Sequence, residues 1–212
     1  MTFLLADLRS DVAADLRDVD GATWSQAQLD RAIAHAVAVY GDAAPREAEV
    51  VVNVTGRTVD LAAALPDFAD LVRVVAVEFP VANWPPSYVR FDIVGRTLAL
   101  HTDVELNGDS VRVIYRIQHT LTDVEGTIPD ADRAMLATGA AGFALRQLAT
   151  EMALSINTGG PRAVEHIRDA AELRIEAFMQ QLHRRYGRRV RTRQAYRPDE
   201  PYLNRDVVQM PD

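Results

Sequence analysis

The sequence predicts an α+β fold: a helical body with an inserted small, mostly antiparallel β-domain and an extended C-terminal tail. Three observations lead to this prediction. Apolar residues recur at helical spacing near both ends of the body, they alternate in the middle, and neither period continues beyond Gly187. These changes divide the chain into an N-terminal helical part (1–46), a β-rich domain (47–127), a C-terminal helical part (128–186) and the tail (187–212).

The N-terminal part contains two predicted helices, at roughly 3–18 and 26–41. At the start of the second, Ser25 is a favourable N-cap, and Gln28 three residues later completes a capping box. Trp24 and Leu29 then occupy the two positions of a hydrophobic staple. We therefore interpret Trp24, Ser25 and Gln28 as a structural cap with no role in catalysis.

The middle of the chain has the alternation and the turn residues of short strands. Candidate strands cover 49–54, 71–79, 88–94, 97–101 and 110–118, and the tripeptides TGR, VGR and NGD between them are typical of tight turns. The pattern predicts a mostly antiparallel sheet of about five or six strands. Its predicted core includes Val52, Val75, Val77, Val113, Tyr115 and Ile117.

The last third is helical again. A helix is predicted over 128–156, with Pro129 near its first position and many alanines and glycines that would allow another backbone to approach closely. Its TGAAG stretch is not a dinucleotide fingerprint, because it lies inside a helix rather than between a strand and a helix. A second helix begins at Pro161. Its predicted buried stripe consists of Val164, Ile167, Ala171, Ile175, Phe178 and Leu182.

The composition excludes several kinds of site. The chain has no cysteine, so disulfides, thiolate catalysis and cysteine-ligated metal centres are excluded. No apolar run approaches the roughly 20 residues that span a bilayer, and the N-terminus lacks the basic region of a secretory signal. All 23 basic residues are arginine. Residues 1–182 have a formal charge of −11, whereas residues 183–212 have a formal charge of +4.

We find no motif for nucleophilic, phosphate-binding or metal-dependent catalysis. The five histidines, at positions 35, 101, 119, 166 and 183, do not have ligand spacing. The stretches HTD (101–103) and QHTLTD (118–123) could bring a histidine close to an aspartate, but polar residues are common at strand ends. The sequence therefore favours a protein that is not an enzyme and needs no cofactor and no metal.

The tail is the strongest local signal, because seven of the fifteen residues from His183 to Arg197 are arginine. Three interpretations are open: a solvated disordered segment, contact with a nucleic-acid backbone, or docking onto an acidic partner protein. The tail has no apolar period and contains three prolines, so we expect it to be extended and disordered unless a partner binds it. The predicted partner-binding residues are Arg188, Arg189, Arg191, Arg193, Tyr196, Tyr202 and Leu203.

Three stretches together resemble the head–tail connector, or adaptor, proteins of tailed bacteriophages and prophages. They are an N-terminal helix followed by WSQAQLDRAIAHAVAVY, a β-region that leads into VRVIYRIQHTLTDVEGTIPDADRAML, and an alanine-rich helix pair with a trailing tail. The resemblance covers roughly residues 3–185. Its motifs are the Trp-Ser capping start and the Tyr, His, Leu, Ile-Pro and Asp passage into a helix, and none of them carries chemistry.

The resemblance implies a virion structural protein, made in the host cytoplasm and located at the neck of the particle. Such adaptors assemble as a ring, usually twelvefold, that joins the portal protein to tail or neck proteins and lets double-stranded DNA pass. It also implies that the tail of each subunit, here residues 187–212, reaches the portal or a neighbouring subunit. Two alternatives are another neck or tail-completion protein, and a nucleic-acid-binding accessory protein that uses the basic tail. No membrane partner is expected.

Overall fold

The computed structural model describes residues 2–154 and 161–187. It confirms the predicted α+β fold, and the described residues form two compact units. The helical unit consists of 2–44, 119–154 and 161–187, and the β unit consists of 45–118. No helix in the described ranges is both long and apolar enough to cross a membrane.

In the sequence, the strands of the sheet lie between the first two helices and the last two helices. In chain order the elements are α1 (Leu5–Asp15), α2 (Gln26–Ala43), β1 (Arg46–Thr55), β2 (Thr58–Asp60), the short α3 (Leu61–Ala64), a 3-10 turn (Phe68–Asp70), β3 (Leu71–Glu78), β4 (Tyr88–Val94), β5 (Thr97–His101), β6 (Asn107–Ile117), a second 3-10 turn (Asp130–Asp132), α4 (Arg133–Leu154) and α5 (Pro161–Tyr186).

The start of α2 has the capping box that the sequence predicts. The backbone N–H of Gln28 donates to Ser25 Oγ at 3.4 Å, and the backbone N–H of Ser25 donates to Gln28 Oε1 at 2.9 Å. Trp24 and Leu29 are both buried in the core of the helical unit. Asp18 holds the preceding loop, because its carboxylate accepts the backbone N–H of Thr23 and of Trp24. These bonds lower the pKa of Asp18, the bond from Trp24 most strongly.

Helix α4 is the centre of the helical unit and packs against α1, α2 and α5. Its small residues are buried against the chain's own helices: Ala137, Gly139, Ala140, Ala141, Gly142 and Ala144. A Cβ atom on Gly139 would lie 2.7 Å from Cγ of Phe178, and one on Gly142 would lie 2.9 Å from Cγ1 of Ile175. The two glycines therefore set how closely α4 and α5 approach, and Phe178 and Ile175 of the predicted stripe face them.

Two arginines connect α1 to its neighbours. Arg9 forms ion pairs with Asp30 of α2 and with Asp123, and its Nη1 is 2.7 Å from Asp123 Oδ1. Arg133, the first residue of α4, pairs with Asp11 of α1 and donates to the backbone carbonyl of Asp7. The planar guanidinium group binds several oxygens at once, so each arginine fixes α1 at more than one point.

The β unit is a six-stranded antiparallel sheet with the order β1-β6-β3-β4-β5-β2. Strands β4 and β5 have the predicted bounds, and Gly95 at the turn between them has φ +62°, a conformation that glycine adopts without strain. One face of the sheet covers an apolar core that contains Val77, Val113, Tyr115 and Ile117. The predicted Val52 is half-buried and packs against this core.

One predicted core residue of the β unit is wrong. Val75 is only half-buried, and Val74 is in the core instead, with 7% of its surface exposed. The reason is an irregularity in the pairing of β3 with β6 between Val74 and Ala76. A bulge inserts a residue into the alternation, so Val74 and Val77, three positions apart, face the same side.

The predicted boundary of the β-domain at residue 127 is also wrong, because residues 119–127 belong to the helical unit. They form a short return segment that pairs with the N-terminus. The backbone N–H of Leu5 donates to the carbonyl of Thr122 at 3.0 Å, and Thr2 forms a β-bridge with Pro129. Ile128 at its end is fully buried among the helices. Because the segment is polar, its sequence does not predict that it bonds to the N-terminus and belongs to the helical unit.

We predict that Gly139→Ala destabilises the helical unit, although alanine is the better helix former by about 1 kcal/mol. The added methyl group would meet the buried ring of Phe178, and overpacking of this kind costs about 1–3 kcal/mol. Urea unfolding followed by helical circular dichroism measures the change. The penalty should shrink in a Phe178→Leu background. A Gly139→Ala protein that is more stable than wild type would show that α4 and α5 are not in such close contact.

Candidate functional site

The seven residues predicted to bind a partner lie outside the described residues, from Arg188 to Leu203. The structure therefore describes the point from which that segment leaves the helical unit. This point is the end of α5, at Tyr186, followed by Gly187. The last turn of α5 carries His183, Arg184 and Arg185, and positive charge at a helix C-terminus is favoured by the helix dipole.

A buried carboxylate fixes this end of α5. Asp132, in the 3-10 turn before α4, has 0% of its surface exposed. The hydroxyl of Tyr40 donates to its Oδ2 at 2.9 Å, and the hydroxyl of Tyr186 donates to the same oxygen. Arg185 Nη1 lies 2.7 Å from Oδ1 and also donates to the carbonyl of Ala131 at 3.1 Å. We call these residues the Asp132 cluster.

The Asp132 cluster keeps its two tyrosines neutral. Burial raises the pKa of the Tyr40 hydroxyl well above its usual value, and its contacts with the Tyr186 hydroxyl and the Asp132 carboxylate raise it further. Burial also raises the pKa of Tyr186, followed by its hydrogen bond to Asp132. A tyrosinate next to a buried carboxylate would place two negative charges together. The cluster is therefore built from one carboxylate, two neutral hydroxyl donors and one guanidinium.

A second feature of the helical unit is a shallow basic pocket between α2 and α4. Its volume is about 160 Å³, and its lining includes Arg31 and His35 of α2 and Phe143, Arg146, Gln147 and Thr150 of α4. The guanidinium of Arg146 lies 5.1 Å from the centroid of the Phe143 ring, and the His35 ring stacks on Phe143 at 4.1 Å. We call this feature the arginine pocket.

The arginine pocket has donors without an acidic partner. Arg31 and Arg146 are both exposed. Within the described residues, neither of them forms an ion pair. The nearby carboxylate of Glu151 instead accepts hydrogen bonds from the amides of Gln28 and Gln147. The pocket therefore presents two guanidinium groups to solvent, on a body whose formal charge is negative.

The β unit presents an exposed aromatic side chain. Trp84 lies in the loop between β3 and β4, next to Pro85 and Pro86, and 92% of its surface is exposed. Tyr88, at the start of β4, is 41% exposed. Tryptophan and tyrosine are enriched at the centres of protein–protein interfaces. This loop is therefore a candidate contact surface of the β unit.

The two histidine–aspartate pairs considered from the sequence do not form. His101 contacts Asp92 at 2.8 Å rather than Asp103, and both side chains are exposed. His119 donates through Nε2 to the carbonyl of Ala44 at 2.8 Å and contacts Thr127, while Asp123 pairs with Arg9. In the described part of the chain, no group of three or more histidine or acidic side chains could hold a metal ion.

No protein-family model matches the sequence, and no curated protein sequence matches it. The sequence did not predict the Asp132 cluster or the arginine pocket. The only local signal for the pocket is the four-residue spacing of Arg31 and His35, and of Arg146 and Thr150, which places each pair on one helix face. The packing of α2 against α4 is a tertiary contact, and the periodicity of either helix does not predict it.

We predict that the free energy of unfolding falls above about pH 10, because the unfolded tyrosines then ionise while Tyr40 and Tyr186 keep their protons. The raised pKa values stabilise the fold fully below this pH and progressively less above it. The chain has no lysine and no cysteine, so tyrosine is the side chain that titrates near pH 10. Each such tyrosine contributes a decrease of about 1.4 kcal/mol per pH unit.

Urea unfolding between pH 8 and 11, followed by helical circular dichroism, measures this slope. Tyr40→Phe should reduce the slope, whereas Tyr88→Phe, at an exposed position of the β unit, should leave it unchanged. Equal slopes for the wild type and Tyr40→Phe would contradict the prediction that the cluster must remain neutral.

Proposed function

We propose that this protein is a virion structural protein, a head–tail adaptor that forms a ring joining the portal to the tail and lets DNA pass. The observation that carries the proposal is the end of α5. Arg185 and Tyr186 are bonded into the Asp132 cluster, and the arginine- and tyrosine-rich segment begins two residues later, at Arg188. A fixed helix end is a suitable base for a segment that binds a neighbouring protein.

The composition of the C-terminal segment supports a protein partner. After the arginines, the sequence PDEPYLNRDVV offers Tyr202 and Leu203 as apolar anchors. Exposed arginine pairs are individually worth about 0–1 kcal/mol. Buried aromatic anchors contribute most of the energy at many interfaces. We therefore expect specificity for the portal or a neighbouring subunit to come from Tyr196, Tyr202 and Leu203, with the arginines guiding the approach.

The charge of the body supports passage of DNA. Residues 1–182 have a formal charge of −11, and like charges keep a phosphate backbone from binding to the surface along which it moves. The exposed Trp84 loop gives the β unit an independent surface for contact with a tail or neck protein.

The small residues of α4 do not support the proposal. They could allow close packing between neighbouring subunits, but they are buried against helices of the same chain. Any contact between neighbouring subunits must therefore use other surfaces.

A second candidate function follows from the seven arginines between His183 and Arg197, which also suit a nucleic-acid-binding accessory protein. Light scattering after size-exclusion chromatography separates the two functions. A ring, or a monomer that forms a ring with purified portal, supports the adaptor. A monomer that binds duplex DNA with a steep dependence on salt supports the accessory protein.

We predict that truncation after Gly187 leaves the melting temperature of the helical unit unchanged but abolishes joining of heads to tails. The truncated chain keeps Tyr186 and the rest of the Asp132 cluster, so its helices retain their bonds. Thermal unfolding and in vitro assembly with portal measure the two effects.

Two matched variants of the full chain separate the contributions of the segment. Replacing Tyr196, Tyr202 and Leu203 with alanine should weaken portal binding by about 2 kcal/mol or more. Replacing Arg188, Arg189, Arg191 and Arg193 with serine should mainly slow association and reduce its dependence on salt. Native affinity of the truncated protein for portal would overturn this role of the segment.

A further inference from the structure

We infer that the arginine pocket of one subunit binds an acidic row on α5 of a second copy of this chain. The acidic row consists of Glu165, Asp169, Glu172 and Glu176. This inference rests on the proposed function, since it names the contact between neighbouring subunits of the ring. It requires two different surfaces, so each subunit would contact one neighbour through its pocket and another through its row.

The pocket has the chemistry of a carboxylate site. Arg31 and Arg146 bring two guanidinium groups to one groove, and each can donate two parallel hydrogen bonds to a carboxylate. Arg146 is oriented by the Phe143 ring beneath it, and His35 stacks on the same ring. Because Phe143 is buried, this arrangement has a rigid floor. Within the described ranges no carboxylate of the same chain pairs with either arginine.

The acidic row lies on the side of α5 that does not pack in the helical unit. Its members follow one another at intervals of four, three and four residues, which places them on one helix face. All four are exposed, whereas Ala171 and Phe178 on the opposite side are buried. Glu172 pairs with Arg168, and both side chains of that pair are exposed. Exposed pairs of this kind are weak, so a neighbouring subunit can replace this one.

A second copy fits these surfaces better than duplex DNA does. The pocket, of about 160 Å³, has room for a side-chain carboxylate. The formal charge of −11 on residues 1–182 opposes the approach of a long phosphate backbone. The row extends over about 16 Å of helix, so it presents carboxylates at several positions along one face. Contact between two different surfaces closes into a ring when the rotation allows it.

Two variants with reversed charges test the pairing. Variant A is Arg31→Glu/Arg146→Glu and has an acidic pocket and an acidic row. Variant B is Glu172→Arg/Glu176→Arg and has a basic pocket and a row with two positive charges. Variant A places acidic groups opposite acidic groups. The row of variant B keeps Glu165 and Asp169 beside two positive charges, so both variants should bind themselves more weakly than the wild type does. In a mixture, the row of A matches the pocket of B, and the row of B matches the pocket of A.

Sedimentation velocity on the full-length proteins, at about 0.05 M and 0.5 M salt, measures association. We expect the wild type to associate at low salt and to dissociate at high salt. Variants A and B alone should bind themselves roughly a hundredfold more weakly or worse, because like charges then face each other. Their equimolar mixture should associate again. The controls Arg57→Glu/Arg96→Glu and Asp103→Arg/Glu105→Arg make the same charge changes at exposed positions of the β unit, and they should associate like the wild type.

Melting curves establish that each variant is folded. If variant A is destabilised because Arg146 leaves the Phe143 ring, the milder pair Arg31→Glu and Glu176→Arg repeats the test. Arg31 forms no ion pair among the described residues, so its reversal disturbs the subunit least. Folded variants that remain monomeric in the mixture overturn the inference. So does association of variant A alone at the level of the wild type, or loss of association in the β-unit controls.

Binding to purified portal, measured separately, distinguishes the two proposals. If the charge exchange restores association but the wild type does not bind portal, the contact between copies stands and the adaptor function falls. If the wild type binds portal but stays monomeric at low salt, the contact inferred here is overturned while the adaptor function stands. Loss of duplex-DNA binding in variant A, with its self-association intact, would likewise overturn the pairing and assign the pocket to phosphate.

Discussion

The helical unit depends on satisfying one carboxylate that has no contact with solvent. Asp132 accepts hydrogen bonds from the hydroxyls of Tyr40, 92 residues earlier, and Tyr186, 54 residues later. It also forms an ion pair with Arg185. An unpaired carboxylate in such a place would cost several kcal/mol. The end of α2, the start of α4 and the end of α5 must therefore come together for any of them to be stable there. The site where the C-terminal segment begins is fixed by the same requirement.

The arginines of this lysine-free chain have two different uses. Arg9 and Arg133 each bind more than one oxygen and join α1 to the rest of the helical unit, a task for which a planar fork is better suited than an ammonium group. Arg31 and Arg146 face solvent, and the arginines after Gly187 follow the end of α5. In an acidic protein, these solvent-facing and C-terminal arginines are the positive charges that can attract anionic groups of other molecules.

The sequence predicted those features that depend on neighbouring residues. The capping box at Ser25 and the bounds of β4 and β5 follow from local spacing, and the structure contains them. Of the stripe predicted for α5, Ala171, Phe178 and Leu182 are buried, whereas Val164, Ile167 and Ile175 are half-buried. Val75 was assigned to the core in place of Val74 because a bulge in β3 changes the alternation. The end of the β-domain was placed at 127 because the polar return segment gives no sign of its bonds to the N-terminus. The Asp132 cluster and the arginine pocket were not predictable, since both join residues from separate helices.

The chain leaves the helical unit at Ala44 and re-enters it at His119, and His119 Nε2 donates a hydrogen bond to the carbonyl of Ala44 at 2.8 Å. The β unit between these two residues is therefore an insertion whose two ends are held next to each other by the helical unit. The entropy of closing a loop grows only with the logarithm of its length, by about 0.6 kcal/mol for each doubling. Related chains can therefore lengthen, shorten or replace this insertion at little thermodynamic cost, so its size is free to diverge while the helices that frame it stay the same.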